Sequence, residues 1–131
     1  MIADRSLKFA WAIPEGRMNR KHRLTSSTDF KRVRRTGKSF AHPFLVLIVA
    51  RNDLGISRFG FTAGRSLGGA VQRNRAKRRM RAAIQSHFAS LAPGWDSVLI
   101  ARPAILEAPW EQLIHALEQL LRRAELIDDH D

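Results

Sequence analysis

The sequence predicts an α/β (α+β) two-layer sandwich, with one central mixed sheet of about four strands and three helices packed on it. Three observations lead there. Hydrophobic periodicity changes along the chain in the order helix, two or three strands, helix, strand, helix, the alternation that lays helices on a single sheet. The run Phe44-Leu-Val-Leu-Ile-Val-Ala50 is apolar on both faces, so it must lie centrally with cover on each side. At 131 residues the chain suits one domain, able to bury roughly two thirds of its unfolded surface around one core.

Residues 1–21 mix single apolar residues with Pro14, Gly16 and scattered charges, without a sustained helix or strand period, and are expected to be a mobile extension. The first ordered element begins near Ser26, where Ser26-Ser27-Thr28-Asp29 offers a capping box, and stops at Gly37, a residue suited to the left-handed cap position. This predicts a helix over 27–36, with Phe30 and Val33 inward and Lys31, Arg32, Arg34 and Arg35 around them. Strand signals follow at Lys38 to Ala41, Phe44 to Arg51 and Arg58 to Gly64; the turn chemistry of Asn52-Asp53-Leu54-Gly55 predicts that the last two form an antiparallel hairpin. From Ala70 to about Phe88 the spacing is helical. Ala76, Met80, Ala83, Ile84 and Phe88 fall on one side, with Asn74, Arg75, Arg78 and Arg79 well away from it. Pro93-Gly94 ends that unit, and Ser97 to Ala101 reads as a buried strand. Pro109 is expected at the first position of a last helix whose core stripe is Trp110, Leu113, Ile114, Leu117, Leu120, Leu121 and Ala124. The organised domain is placed at 22–125, followed by an acidic tail over 126–131.

Charge is distributed unevenly. Residues 1–81 hold 20 Lys and Arg against 4 Asp and Glu, residues 82–131 hold 3 against 8, and the whole chain carries a formal +11. Such asymmetry makes a one-sided field that attracts and orients a polyanion. The chain has no cysteine, so disulfides, thiolate metal sites and thiol nucleophiles are excluded, in keeping with the cytoplasm as the expected compartment. No apolar run approaches the ~20 residues of a spanning helix, and no membrane role is expected.

Enzymatic signatures are absent. The histidines at 22, 42, 87, 115 and 130 show no pair at metal-ligand spacing, and Ser66 lacks a nucleophile-elbow context. Gly60, Gly64, Gly68 and Gly69 lead toward a helix without the Walker or dinucleotide spacing; they read as close backbone approach and a turn, with phosphate contact at the helix start physically reasonable. No catalytic residue and no metal ligand is therefore assigned.

The stretch Gly68-Gly-Ala-Val-Gln-Arg-Asn-Arg-Ala-Lys-Arg-Arg-Met-Arg81 is different. A solvated helix face would place glutamates at i,i+4 to relieve repulsion, yet residues 65–95 contain no acidic residue. Uncompensated arginine on a preformed helix suits phosphate recognition, since each guanidinium is a planar fork of donors and each neutralised phosphate releases counterions. Nucleic acid is the expected partner.

The segments Arg58-Phe-Gly-Phe-Thr-Ala-Gly-Arg65 and Leu67 to Arg81, with Arg73-Asn74-Arg75 at their centre, strongly resemble the bacterial ribonuclease P protein subunit family, marked by an RNR helix after a Gly-containing strand. The resemblance extends to His22-Arg-Leu-Thr-Ser-Ser-Thr-Asp-Phe-Lys-Arg-Val33, to Leu99-Ile-Ala-Arg-Pro103 and to the last helix, covering roughly 20–125. It implies a left-handed crossover through the arginine helix, against the usual hand. It further implies that Arg65, Arg73, Asn74, Arg75, Lys77, Arg78, Arg79 and Arg81 dock on a large catalytic RNA. A cleft between the first helix and the sheet would hold the 5′ leader of precursor tRNA, with Phe30, Arg34, Phe44, Val46 and Ile48, and Arg65 beside them, as its candidates. No cofactor is expected on the protein alone; Mg²⁺ is expected in the RNA-containing holoenzyme, and no obligate protein partner is implied. Relatives often carry a second aromatic where this chain has Arg34, which shifts leader contact from stacking toward charge, and two adjacent basic residues where it has Arg65-Ser66. The extension before Asn19 has no counterpart in the family, and Met18 is a candidate start. The rival reading is a stand-alone DNA- or RNA-binding regulator using residues 70–88 as a groove-reading helix, which would need a short helix just before it.

Overall fold

The first helix, α1 (Ser27–Thr36), forms where its cap requires it. The Ser26 side chain accepts from the Asp29 N–H at 3.3 Å, and the chain leaves the helix at Gly37, where a side chain would collide with the carbonyls of Val33 and Val49. This computed structural model describes residues 18–127. Residues 1–17 of the expected extension and 128–131 of the expected acidic tail lie outside the described residues. Residues 18–21, expected within the extension, are held against the body instead. The Met18 N–H donates to Gln85 at 2.8 Å, a 3₁₀ turn spans Arg20–His22, and Arg23 makes a parallel bridge to Phe59.

Beyond α1 come β1 (Lys38–Ala41), β2 (Leu45–Arg51), β3 (Arg58–Ala63), α2 (Ala70–His87), β4 (Trp95–Ala101) and α3 (Trp110–Arg123). They build a four-stranded mixed sheet in the order β1-β2-β4-β3, the expected fold class. Strand β2 runs antiparallel to both neighbours, Phe40 facing Leu47 on one side and Ile48 facing Val98 on the other; β3 runs parallel to β4, Gly60 opposite Val98.

The hairpin expected between β2 and β3 does not form. The turn chemistry is present, with Asn52 Oδ1 accepting from the Leu54 N–H at 2.9 Å and Gly55 at φ +75°, but β4 lies between the two strands. The reason is burial. Strand β4 is buried almost throughout and takes an interior place beside β2, leaving β3 to the edge. It also starts at Trp95, two residues before the predicted strand, so that Asp96 falls inside the sheet.

The apolar double face of β2 is met from both sides. Leu45, Leu47 and Val49 join Leu99 under Met80 and Ile84 of α2 and Leu113, Leu117, Leu120 and Leu121 of α3. Ile48 and Ala50 turn the other way, packing with Val98, Leu24 and Val33 of α1. The predicted stripe of α3 is buried except at Ile114, half-buried, and Trp110, exposed in the first turn; Pro109 caps this helix with extended ψ rather than occupying its first position.

Candidate nucleic-acid interface

Helix α2 is held on the sheet by two alanines that let it approach closely and two larger apolar side chains that fill the space between. Ala76, Met80, Ala83 and Ile84 are buried, and Phe88 just beyond is half-buried. This leaves Val71, Asn74, Arg75 and Arg78 on an exposed stripe at i, i+3, i+4 and i+7, with Arg81 exposed beside it and Arg73 and Lys77 half-buried at the flanks. No carboxylate lies on the helix. Gly68 turns the chain into it at φ +121°, and the Gly69 N–H donates to Gln72 Oε1 at 3.1 Å, so part of the helix-start cradle is already satisfied. Arg65 stands exposed in the 3₁₀ turn Arg65–Leu67 before α2.

Arg79 departs from the expected outward array. Its guanidinium donates to the carbonyls of Ile105 at 2.6 Å, Leu106 at 3.4 Å and Ala108 at 2.6 Å, tying α2 to the turn between β4 and α3. Burial, and then the neighbouring Arg75, push its pKa below the ordinary arginine value. The helical wheel placed Arg79 away from the core, but that turn rises beside the helix and captures the side chain.

Beside α2 lies a pocket of about 330 Å³ walled by His22, Arg23, Phe61, Arg78 and Arg81. The Arg81 guanidinium sits 5.3 Å from the Phe61 ring centroid, a cation–π placement. His22 Nδ1 accepts from the Asn19 N–H at 3.1 Å and its ring meets Phe88 edge-on; burial, then Lys21, lower its pKa, which favours the neutral imidazole.

The α1 face gathers Phe30, Val46 and Ile48, three of the five leader-cleft candidates. Phe30 is half-buried with its ring over Gly60, where an added Cβ would stand 2.4 Å from Cζ; the glycine is there because the ring needs its space. Ile48 is the buried floor and Val46 is half-buried. Arg34 is exposed one turn after Phe30. Phe44 does not join them. It precedes the first residue of β2, its N–H donates to His42 Nδ1 at 3.0 Å, and its ring packs on His42 and faces α3, so strand alternation does not reach back to it.

One residue central to this face escaped sequence reasoning. Asp96 is fully buried and receives Arg58 at 2.9 and 2.7 Å, Asn52 at 2.8 Å and Arg32 of α1. Burial alone would raise its pKa, but the hydrogen bonds from Arg58, Asn52 and Arg32 outweigh it and hold the carboxyl below the ordinary value. The signal was an acid in the apolar run Trp95-Asp-Ser-Val-Leu-Ile-Ala101: a carboxylate inside a sheet demands cations. Arg23 and Phe61 were likewise missed, since nothing local links them to α2.

A basic helix without carboxylates, anchored on a mixed sheet and preceded by a strand and a 3₁₀ turn, defines a nucleic-acid-binding α/β protein outside the helix-turn-helix class. The family model for ribonuclease P matches residues 18–125. The ribonuclease P protein component of Herpetosiphon aurantiacus is 42% identical over 114 residues, 87% of this chain and 93% of that one. The structure of the Staphylococcus aureus RNase P protein superposes with a TM-score of 0.74 at 28% identity, covering 82% of this chain and 98% of its own. That of the Thermotoga maritima RNase P protein gives 0.70 at 28% identity, covering 77% and 96%. The chain belongs to the ribonuclease P protein family, the protein component of the endoribonuclease that matures tRNA.

Proposed function

We propose that the protein works without a catalytic side chain of its own, docking α2 on the catalytic RNA and presenting the α1 face to the 5′ leader of precursor tRNA. The observation that carries this is the outward stripe of Asn74, Arg75 and Arg78, flanked by Arg81, on a helix free of carboxylates. Phosphates recruited there displace counterions, which lowers the ionic requirement for assembling two polyanions. On the opposite face, half-buried Phe30 and Val46 offer apolar surface for unstacked bases, with Arg34 one turn away for phosphate.

Among the described residues no group of three His, Asp or Glu side chains is placed to hold a metal ion. Hydrolysis is assigned to the RNA and its bound Mg²⁺. The partners are the catalytic RNA and precursor tRNA, with no obligate protein partner, and the compartment is the cytoplasm. Among the described residues no helix is long and apolar enough to cross a membrane.

The test is reconstitution. The protein alone leaves precursor tRNA uncut with Mg²⁺ present; the RNA alone cuts slowly at high Mg²⁺ and efficiently at lower Mg²⁺ once the protein is added. Specific 5′ cleavage by RNA-free protein, abolished by substitution of one acidic residue, would overturn the assignment.

A further inference from the structure

At the end of the sheet where α1 gives way to β1, an open groove of about 760 Å³ lies between the β1–β2 edge and the last turn of α3. Its walls carry Lys38, Phe40, Arg51, Trp95 and Arg123. The Arg51 guanidinium stands 5.1 Å from the Trp95 ring centroid, and that of Arg123 stands 5.6 Å from the Phe40 ring while donating to the Ala41 carbonyl at 3.3 Å. Lys38, Arg51 and Arg123 are exposed, and among the described residues none is ion-paired to a carboxylate. Glu125 is the one acid on the wall, against those three cations.

Two guanidinium–aromatic pairs side by side are more than a charge patch. Each offers a flat surface on which a base stacks and a cation for the adjoining phosphate, the alternation that single-stranded RNA requires. An acidic peptide would use the cations and leave the flat surfaces without a matching group. The groove also begins where α1 ends. Lys31, Arg34 and Arg35 are exposed along that helix, Thr36 lines the groove, and Lys38 follows at once. Helix α2 packs against β3 and β4, toward the other edge of the sheet.

We propose that this groove is a second single-stranded RNA subsite, holding leader nucleotides upstream of those on the α1 face, after the strand has passed over the short edge strand β1. The proposal rests on the leader reading given above. It makes leader length a determinant of affinity: nucleotides too far from the cleavage site to reach Phe30 still contribute.

The test uses the full chain assembled with its catalytic RNA and three ligands: mature tRNA, a precursor whose leader reaches only the α1 face, and one with a longer leader. The wild type is expected to bind the longer precursor about tenfold more tightly than the shorter, in line with one or two stacked bases. The R51Q/R123Q variant is expected to lose that increment while keeping the preference for the short precursor over mature tRNA, with a cooperative melt lowered by no more than a few degrees. In a W11F/W110F background, Trp95 fluorescence is expected to be quenched by the long precursor and not by the short one. An increment that survives R51Q/R123Q, or Trp95 quenching by a polyglutamate peptide but not by RNA, overturns the subsite. Equal affinity of the wild type for mature tRNA and the short precursor overturns the leader reading itself, a separate failure.

Discussion

Helices α1 and α2 lie on opposite faces of one sheet, and each is dense in cations: Lys31, Arg32, Arg34 and Arg35 in the first, and Arg73, Arg75, Lys77, Arg78, Arg79 and Arg81 in the second. Their arginines are employed differently. On α1, Asp29 lies in the first turn and the buried Asp96 waits beneath, so Arg32 is drawn into an ion pair that fastens the helix to the sheet. On α2, among the described residues, no carboxylate is ion-paired with the arginines, and the inward capture of Arg79 is by carbonyls, which use its donors but leave its positive charge in the surrounding field. What lies beneath a helix therefore decides whether its arginines build the fold or meet a partner.

The sharpest way to break this contrast is to remove the acid. Asp96→Asn keeps the shape but leaves Arg32 and Arg58 facing a neutral amide, and is expected to cost about 3–5 kcal/mol of stability in a thermal or denaturant melt. A melt within error of the wild type would show that α1 is held by packing alone. The same carboxyl sets an acid limb. Because its folded pKa is depressed, its contribution is present in full above the unfolded value of about 3.9 and is lost as pH falls through the lower folded one. The variant is expected to lack that component of the acid-unfolding curve.

The second comparison stays within α2. Arg79→Ala removes hydrogen bonds from a charged group to three carbonyls and is expected to destabilise by about 1.5–3 kcal/mol, whereas Arg75→Ala is expected to stay within about 0.5 kcal/mol of the wild type. Equal melting temperatures would mean that Arg79 is as free as its neighbour.

Much of this was legible in the chain. The ends of α1 followed from Ser26 and Gly37, although Gly37 sits at φ −83° in extended backbone and is a glycine for lack of space rather than for a left-handed cap; the buried side of α2 followed from Ala76, Met80, Ala83 and Ile84. The misreadings share one cause, which is that sequence spacing describes an element and not what packs across from it. Asn52 to Gly55 specify a turn but not which strands flank it. Position 79 falls on the polar side of a wheel whether or not a carbonyl-rich turn stands there. Phe44 has strand-like spacing with Val46 and Ile48, yet the contacts of His42 settle its direction.

On the α1 face, Phe30→Ala is expected to weaken binding of a leader-bearing precursor relative to mature tRNA by about 1–3 kcal/mol. An equal loss for both ligands, together with a lowered melting temperature, would assign Phe30 to the core over Gly60 alone. Smallest of all, Arg75→Ala or Arg78→Ala is expected to lower the slope of log affinity against log salt for the catalytic RNA by roughly 0.7–0.9 each, without altering the fold. An unchanged slope in both would move the docking surface off α2.

The strand order carries a consequence for how the molecule comes into being. Only β1 and β2 pair locally; β2 and β3 gain their shared neighbour when β4 arrives from far along the chain. As the polypeptide leaves the ribosome, the arginine helix therefore emerges before the strand that completes its floor. Long-range pairing of this kind closes late, because loop entropy must be overcome first. A nascent chain stalled before Trp95 would display the cationic sequences of α1 and α2 without the rigid surface that aims them, so specific assembly with RNA belongs to the end of synthesis.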